Sequence, residues 1–403
     1  MTRPLLQSVR KFFQGNRFGQ HGPGLRCRRL RCEPLESRHL LAVITLPSLP
    51  LWFDNTLDNR IEITPTSATS FTVDVDNGPV VKVIDLSGTP TQVVVDAGSG
   101  NDELILNLPA SINDFFQGGL VFNGDTGSDA LTLVGAGNTV RYSPSPTAGQ
   151  GTLDIDTLAS AIQFTGLEPI NISGMAWVTI DTPLPDDNLI VENVVVGAQD
   201  AIQVRDAANS FEAANLWNNV VVEIDTTLSG GDGDDLVTVL SANNAHGNTN
   251  LIVSTGAGTD SVNITGGMAL TGEMQIDSGS IAIGGPLAIG TNIRLDAAGP
   301  VTQTQPIAAV GLELLGTGPV VLALATNDVD VLAAALGGSL SYRDADDLAV
   351  GTVGGTSGIT APQVTLHTGA ALTQTEAILA GGLELLGTGP VVLALATNDV
   401  DVL

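Results

Sequence analysis

From Ile44 onward the apolar positions follow the period of a β-strand. Phe71-Thr-Val-Asp-Val-Asp76 alternates, Asn77-Gly78 is a strong hairpin signal, and Val80-Val-Lys-Val-Ile84 follows. This opening predicts an antiparallel β region near the N-terminus. Beyond Ile281 short apolar runs alternate with Gly-rich turns to the last residue. Residues 307–325 and 378–396 are apolar enough to suggest membrane spans, each with a single charge, Glu313 or Glu384. Gly316-Thr-Gly-Pro319 breaks the first, and lipid does not tolerate a strand-turn-strand outside a closed barrel. Buried strands account for the apolarity, and no transmembrane helix is expected.

One stretch organises the rest. Residues 311–332 read GLELLGTGPVVLALATNDVDVL and return letter for letter at 382–403, 71 positions on. Upstream, Thr302-Gln303-Thr304 recurs as Thr373-Gln374-Thr375. A third of that spacing, about 24 residues, suits one coil of a stacked solenoid. The fold class predicted is therefore all-β, a repetitive parallel β-solenoid (β-helix) with coils of about 24 residues. Leu322 and Leu393 should then lie three coils apart in one column. The chain divides into a basic, disordered leader (1–42), a β region (43–137), an irregular insertion or junction (138–172), a solenoid (173–292) and the repeat region (293–403).

Composition agrees with many short strands and tight turns: 47 Gly, 4% aromatic and only 14% charged residues. Charge is unevenly divided. Residues 1–42 hold nine Lys/Arg against Glu33 and Glu36, whereas the remaining residues carry a net −35. Such a body repels nucleic acid and attracts cations. Both cysteines, Cys27 and Cys32, lie in the leader, which leaves no disulfide framework for the body. A thiol-free body suits an extracellular setting.

The leader carries Leu25-Arg26-Cys27-Arg28-Arg29-Leu30-Arg31-Cys32-Glu33-Pro34, and then Leu35, Glu36, Arg38, Leu40, Leu41 and Ala42. A basic run followed by L-E-x-R-x-L-L-[SA] resembles the LEPR-XLL-type motif of very large planctomycete surface proteins. That resemblance implies export to the cell surface. The apolar run after Arg38 is cut by Pro47 and Pro50, so as a standard secretory signal it is poor. The repeat region also resembles the β-strand repeats of filamentous-haemagglutinin-like surface proteins.

A Gly/Asp segment appears four times: AGSGNDELI (97–105), GDTGSDALT (124–132), GGDGDDLVT (230–238) and TGAGTDSVN (255–263). These resemble the calcium-binding nonapeptide of RTX-type repeats, in which Gly lets the backbone turn and Asp supplies hard oxygen ligands. Only Gly230–Thr238 matches every position, and no copy has a neighbour nine residues away. The resemblance implies a Ca²⁺ site with candidate ligands Asp102, Asp129, Asp232, Asp235 and Asp260. The alternative is a plain Gly-Asp corner. Asp102 to Asp129 is 27 residues and Asp235 to Asp260 is 25, so each pair should stack at one corner of adjacent coils.

Catalytic constellations are lacking, and no enzyme is expected. His246 and His367 are solitary, each expected at the surface. Asp74/Asp76, Asp154/Asp156 and Asp328/Asp330 each place two carboxylates on one strand face. An Asp cluster beside Arg141 or Arg205 would favour a polysaccharide-acting β-helix enzyme. The reading is an exported, non-catalytic, adhesin-like β-repeat protein of the cell surface or extracellular space. A calcium-stabilised adhesin is the runner-up. A cell-wall, glycan or protein surface is the partner class, and the apolar C-terminal coil, with no polar cap in LATNDVDVL, predicts end-to-end self-association.

Overall fold

The computed structural model describes residues 42–45, 51–53, 58–76, 82–85, 92–111, 115–227 and 232–403. The leader lies outside them, with Leu35, Glu36, Arg38, Leu40 and Leu41 of the sorting motif; Ala42 opens the strand Ala42–Thr45. The described residues fold as an all-β solenoid in which almost every strand stacks in parallel on an earlier one. None of their helices is long and apolar enough to cross a membrane. Residues 307–325 and 378–396 are instead strands, among them Ile307–Gly316 and Ile378–Gly387.

Three strands make one coil. In the plainest part these are Met274–Ser278, Ser280–Ile283 and Leu287–Ile289, and the next coil repeats them as Asn292–Ala297, Val301–Gln303 and the start of Ile307–Gly316. Inward residues stack in register, as in the column Val140, Val178, Val222, Leu251, Met274, Ile293, Leu312, Leu332 and Val350. All of these are essentially sealed from solvent. One hydrophobic core runs unbroken from Ile61 to Leu383. Parallel strands need this, because both neighbours and the inner face are protein.

The coil varies around the expected 24 residues. Tyr342 pairs with Leu366 and Val237 with Val262, steps of 24 and 25, but much of the repeat region runs shorter. Met274 pairs with Ile293 and Leu312 with Leu332, steps of 19 and 20 residues. Strands of three to six residues with brief corners close the coil sooner. The 71-residue repeat therefore does not fit three whole coils. Leu322 stands in line with Tyr342, Leu366 and then Leu385, so the expected alignment with Leu393 is wrong. Dividing the period by three assumed that each repeat begins on the same face. It begins one face further round.

The expected antiparallel region is present. Arg60–Ser67 pairs antiparallel with Ser70–Val75, which pairs with Lys82–Asp85. Yet Arg60–Ser67 also stacks in parallel on Glu103–Asn107, so this hairpin is an excursion from a solenoid coil. Residues 138–172 are likewise ordered. Thr139–Pro144, Gly151–Ile155 and Ile162–Thr165 form an antiparallel meander whose first strand carries the core column onward. Its alternation is hidden in the sequence because the exposed positions include Arg141 and Thr139 while Tyr142 and Pro144 point inward. A third excursion, Asn188–Val196 with Gln199–Asp206, follows.

Candidate functional site

The Gly/Asp segments form corners, and the corners stack. Asp129 Oδ1 accepts the backbone N–H of Asp102 at 2.8 Å, and Asp102 Oδ1 accepts that of Asn59 at 2.7 Å. Asp260 Oδ1 takes the N–H of Asp235 at 2.9 Å, and Asp235 Oδ1 that of Asp187 at 2.8 Å. Each carboxylate thus reaches back one coil to an amide that the sheet leaves unpaired at the corner. The predicted stacking of Asp102 on Asp129 and of Asp235 on Asp260 holds. Beside each inner column runs an outer one: Ser128 N donates to Asn101, Asp234 N to Asp186 and Thr259 N to Asp234. Asp232 belongs to this outer side, exposed, and accepts the N–H of Ala257 at 2.9 Å.

The inner column is dry. Asp102, Asp129, Asp187, Asp235 and Asp260 are all at most 2% exposed. Threonines at the foot of the same corner compensate part of that burial. Thr182 Oγ1 donates to Asp187 Oδ2 at 2.6 Å and Thr226 Oγ1 to Asp235 Oδ2 at 2.5 Å. Thr255 turns instead to Ser278 Oγ at 3.0 Å, which leaves Asp260 Oδ2 without a hydrogen bond. Asp102 Oδ2 and Asp129 Oδ2 also lack one. Burial pushes the Asp129 carboxyl up to about 6, its acidic neighbours adding to the shift against the Asp102 N–H that opposes it. Asp187 rises to about 6, first through burial, and Asp102 and Asp235 rise for the same reason. The register carries the first column on to Glu168 and the buried Glu212, which burial and then Glu168 push up to about 7.

A calcium ion fits these corners poorly. It needs six to eight oxygens, roughly, with several carboxylates among them. One oxygen of each inner aspartate is spent on the neighbouring coil, and the described residues contain no group of three acidic, His or Cys side chains able to hold a metal. Gly230 and Gly231, the first two positions of the complete motif, lie outside the described residues. What the corners do is hold coil to coil.

No family model, curated protein or solved structure matches the chain.

In the repeat region the corner that recurs in both copies is neutral, with the buried Asp344 between them accepting Val329 N at 3.1 Å. Asn327 Oδ1 accepts Ile307 N at 3.1 Å and Gln303 Nε2 at 2.8 Å, while its Nδ2 donates to Gln303 Oε1 at 2.8 Å. Asn398 repeats the arrangement with Ile378 and Gln374. His246, expected at the surface, is fully buried. Its Nδ1 accepts the N–H of Asn248 at 2.9 Å, and burial lowers its pKa to about 4, so the ring is held neutral. Sequence reasoning missed Asp187, Glu212 and the threonine column. Only the pairing of Thr182 with Asp187 at five residues was close enough in sequence to be seen.

Proposed function

We propose that this chain is an exported, non-catalytic, adhesin-like β-solenoid that serves as a structural rod at the cell surface or in the extracellular matrix. The observation that supports this most is the uninterrupted inward column from Val140 to Val350, flanked by buried carboxylates committed to coil-to-coil hydrogen bonds. A rod built this way transmits load along its axis through a continuous ladder of backbone bonds. The acidic body disfavours nucleic acid as a partner. Leu35, Glu36, Arg38, Leu40, Leu41 and Ala42 supply the export address in this reading. Fusing residues 1–60 to a reporter in a planctomycete host tests it: the reporter should leave the cytoplasm, and E36A with R38A should keep it inside. Export unaffected by that pair would overturn the address.

A further inference from the structure

The outward side chains of three stacked strands, Thr139–Pro144, Trp177–Asp181 and Val221–Asp225, form a flat array. Across its middle run Asp154, Arg141, Thr179 and Glu223, each opposite the next. On one side lie Thr139 and Trp177, on the other Ser143, Asp181 and Asp225. Trp177 is exposed, whereas the aromatic residues Tyr142, Phe164, Phe211 and Tyr342 are buried. Its Nε1–H donates to Glu223 Oε2 at 2.8 Å, and Thr179 Oγ1 donates to the same oxygen at 2.9 Å. The indole is thereby tethered across the boundary between two strands.

Two further groups have unused hydrogen-bonding capacity. Arg141 is exposed and makes no ion pair or side-chain hydrogen bond within the described residues, whereas Arg60, Arg205 and Arg294 are each ion-paired to a carboxylate. Asp181 is 4% exposed; one oxygen accepts Ser143 Oγ at 3.0 Å and the other has no partner. Stability alone does not call for a tethered, exposed indole beside an unpaired guanidinium on so acidic a rod. Recognition does.

The chemistry selects the ligand. An aromatic platform stacks on a flat apolar ring face, while carboxylates and a guanidinium make strong, charge-assisted bonds to hydroxyls. A polyanion would meet Asp154, Asp181, Glu223 and Asp225. A polycation would meet Arg141 at the centre, and two of the carboxylates already accept hydrogen bonds from the hydroxyls of Thr179 and Ser143. We propose that this face binds a neutral saccharide chain, stacked on Trp177 and hydrogen-bonded by Arg141, Glu223 and Asp225. The strands lie about 4.8 Å apart, so an extended chain laid across the array meets groups from successive strands. The inference extends beyond the structural reading and does not depend on export.

The test uses the full chain with four probes, the neutral hexasaccharides of glucose, mannose, galactose and N-acetylglucosamine. Controls are a hexagalacturonate and a deca-lysine peptide. Titration calorimetry and tryptophan fluorescence should report binding of at least one neutral hexamer, with a millimolar-range Kd. W177A should weaken it about tenfold and R141Q about fivefold, both with unchanged melting temperature. W217A, which alters a half-buried indole on a different strand, should keep the affinity. Binding confined to the anionic or cationic control, affinity untouched by W177A, or no heat from any neutral hexamer at about 10 mM would each overturn the proposal.

Discussion

The same 22 residues occupy two places in this molecule and have two different lives. In the first copy Gly311–Gly316 stacks on Asn292–Ala297 and is covered by Val331–Leu336, with residues 311–314 buried. In the second, Gly382–Gly387 rests on residues 363–368, which rest in turn on Leu340–Arg343 and that on Val320–Leu322. The second GLELLG therefore stands in the column of the first copy's Val-Val-Leu, one face round the coil. Burial follows the place and not the letters. Glu313 is 4% exposed, bonded to Arg294 at 3.4 Å and to the N–H of Gly355 at 3.1 Å, on a hairpin that folds back over it. Glu384 is exposed and takes only Thr365 Oγ1 at 3.2 Å. The three faces are interchangeable enough for one sequence to fit two of them, which is what a near-threefold coil with a Val/Leu/Ile interior permits.

Core truncation should separate the copies most. Leu314 is fully buried, whereas Leu385 is only partly so. L314A should cost about 2–5 kcal/mol and L385A about 1 or less, read as the shift in chemical denaturation midpoint. Equal losses would mean that the two copies share one environment.

Proton linkage should set the charged corners apart from the neutral ones that both copies use. Asp129 and Asp187 titrate at about 6 and Glu212 at about 7 in the folded chain, above the roughly 4 expected when unfolded. These three carboxyls hold more protons when folded, so their contribution to stability is greatest at low pH and falls as pH rises from about 4 through 7. His246, lowered to about 4, works the other way but is one group against three. Asp129 alone accounts for up to about 3 kcal/mol of that fall. Melting temperature should be higher at pH 5 than at pH 8, and D129N should flatten the slope. Amide protection around Asn398 should change less, because Gln374 and Asn398 carry no proton. A melt that rises with pH would contradict the buried ladder.

A smaller contrast lies in the two glutamates. E313Q loses half of a charge-assisted pair beside Arg294 and should cost about 1–2 kcal/mol, while E384Q should be silent. Loss at both positions would show that Glu384 has a partner its exposure denies.

Much of this architecture was legible in the chain. The letter-perfect repeat, the Gly corners and the buried apolar runs all pointed to a solenoid, and spacings of 27 and 25 residues correctly stacked Asp102 on Asp129 and Asp235 on Asp260. The coil length was not, because a repeat need not close on the face where it began. Asp187 stacks on Asp235 across 48 residues, since the hairpin Asn188–Val196/Gln199–Asp206 intervenes. Such excursions erase the period without disturbing the core. The array around Trp177 was hidden for a related reason. Arg141, Thr179 and Glu223 become neighbours only through registers of 38 and 44 residues, well away from the 71-residue period.

The offset of the repeat by one face is the central claim, and one distance measurement decides it. With Cys27 and Cys32 changed to Ser, spin labels are placed in pairs at Val321 and Glu384, and at Val321 and Val392. The register Val321, Ser341, Thr365, Glu384 puts the first pair three strands apart on one face, about 14 Å between backbones. Pulsed EPR should find the 321/384 pair at the shorter distance and the 321/392 pair, equivalent by sequence, clearly longer. The reverse order, with Val392 directly in line above Val321, would contradict the account.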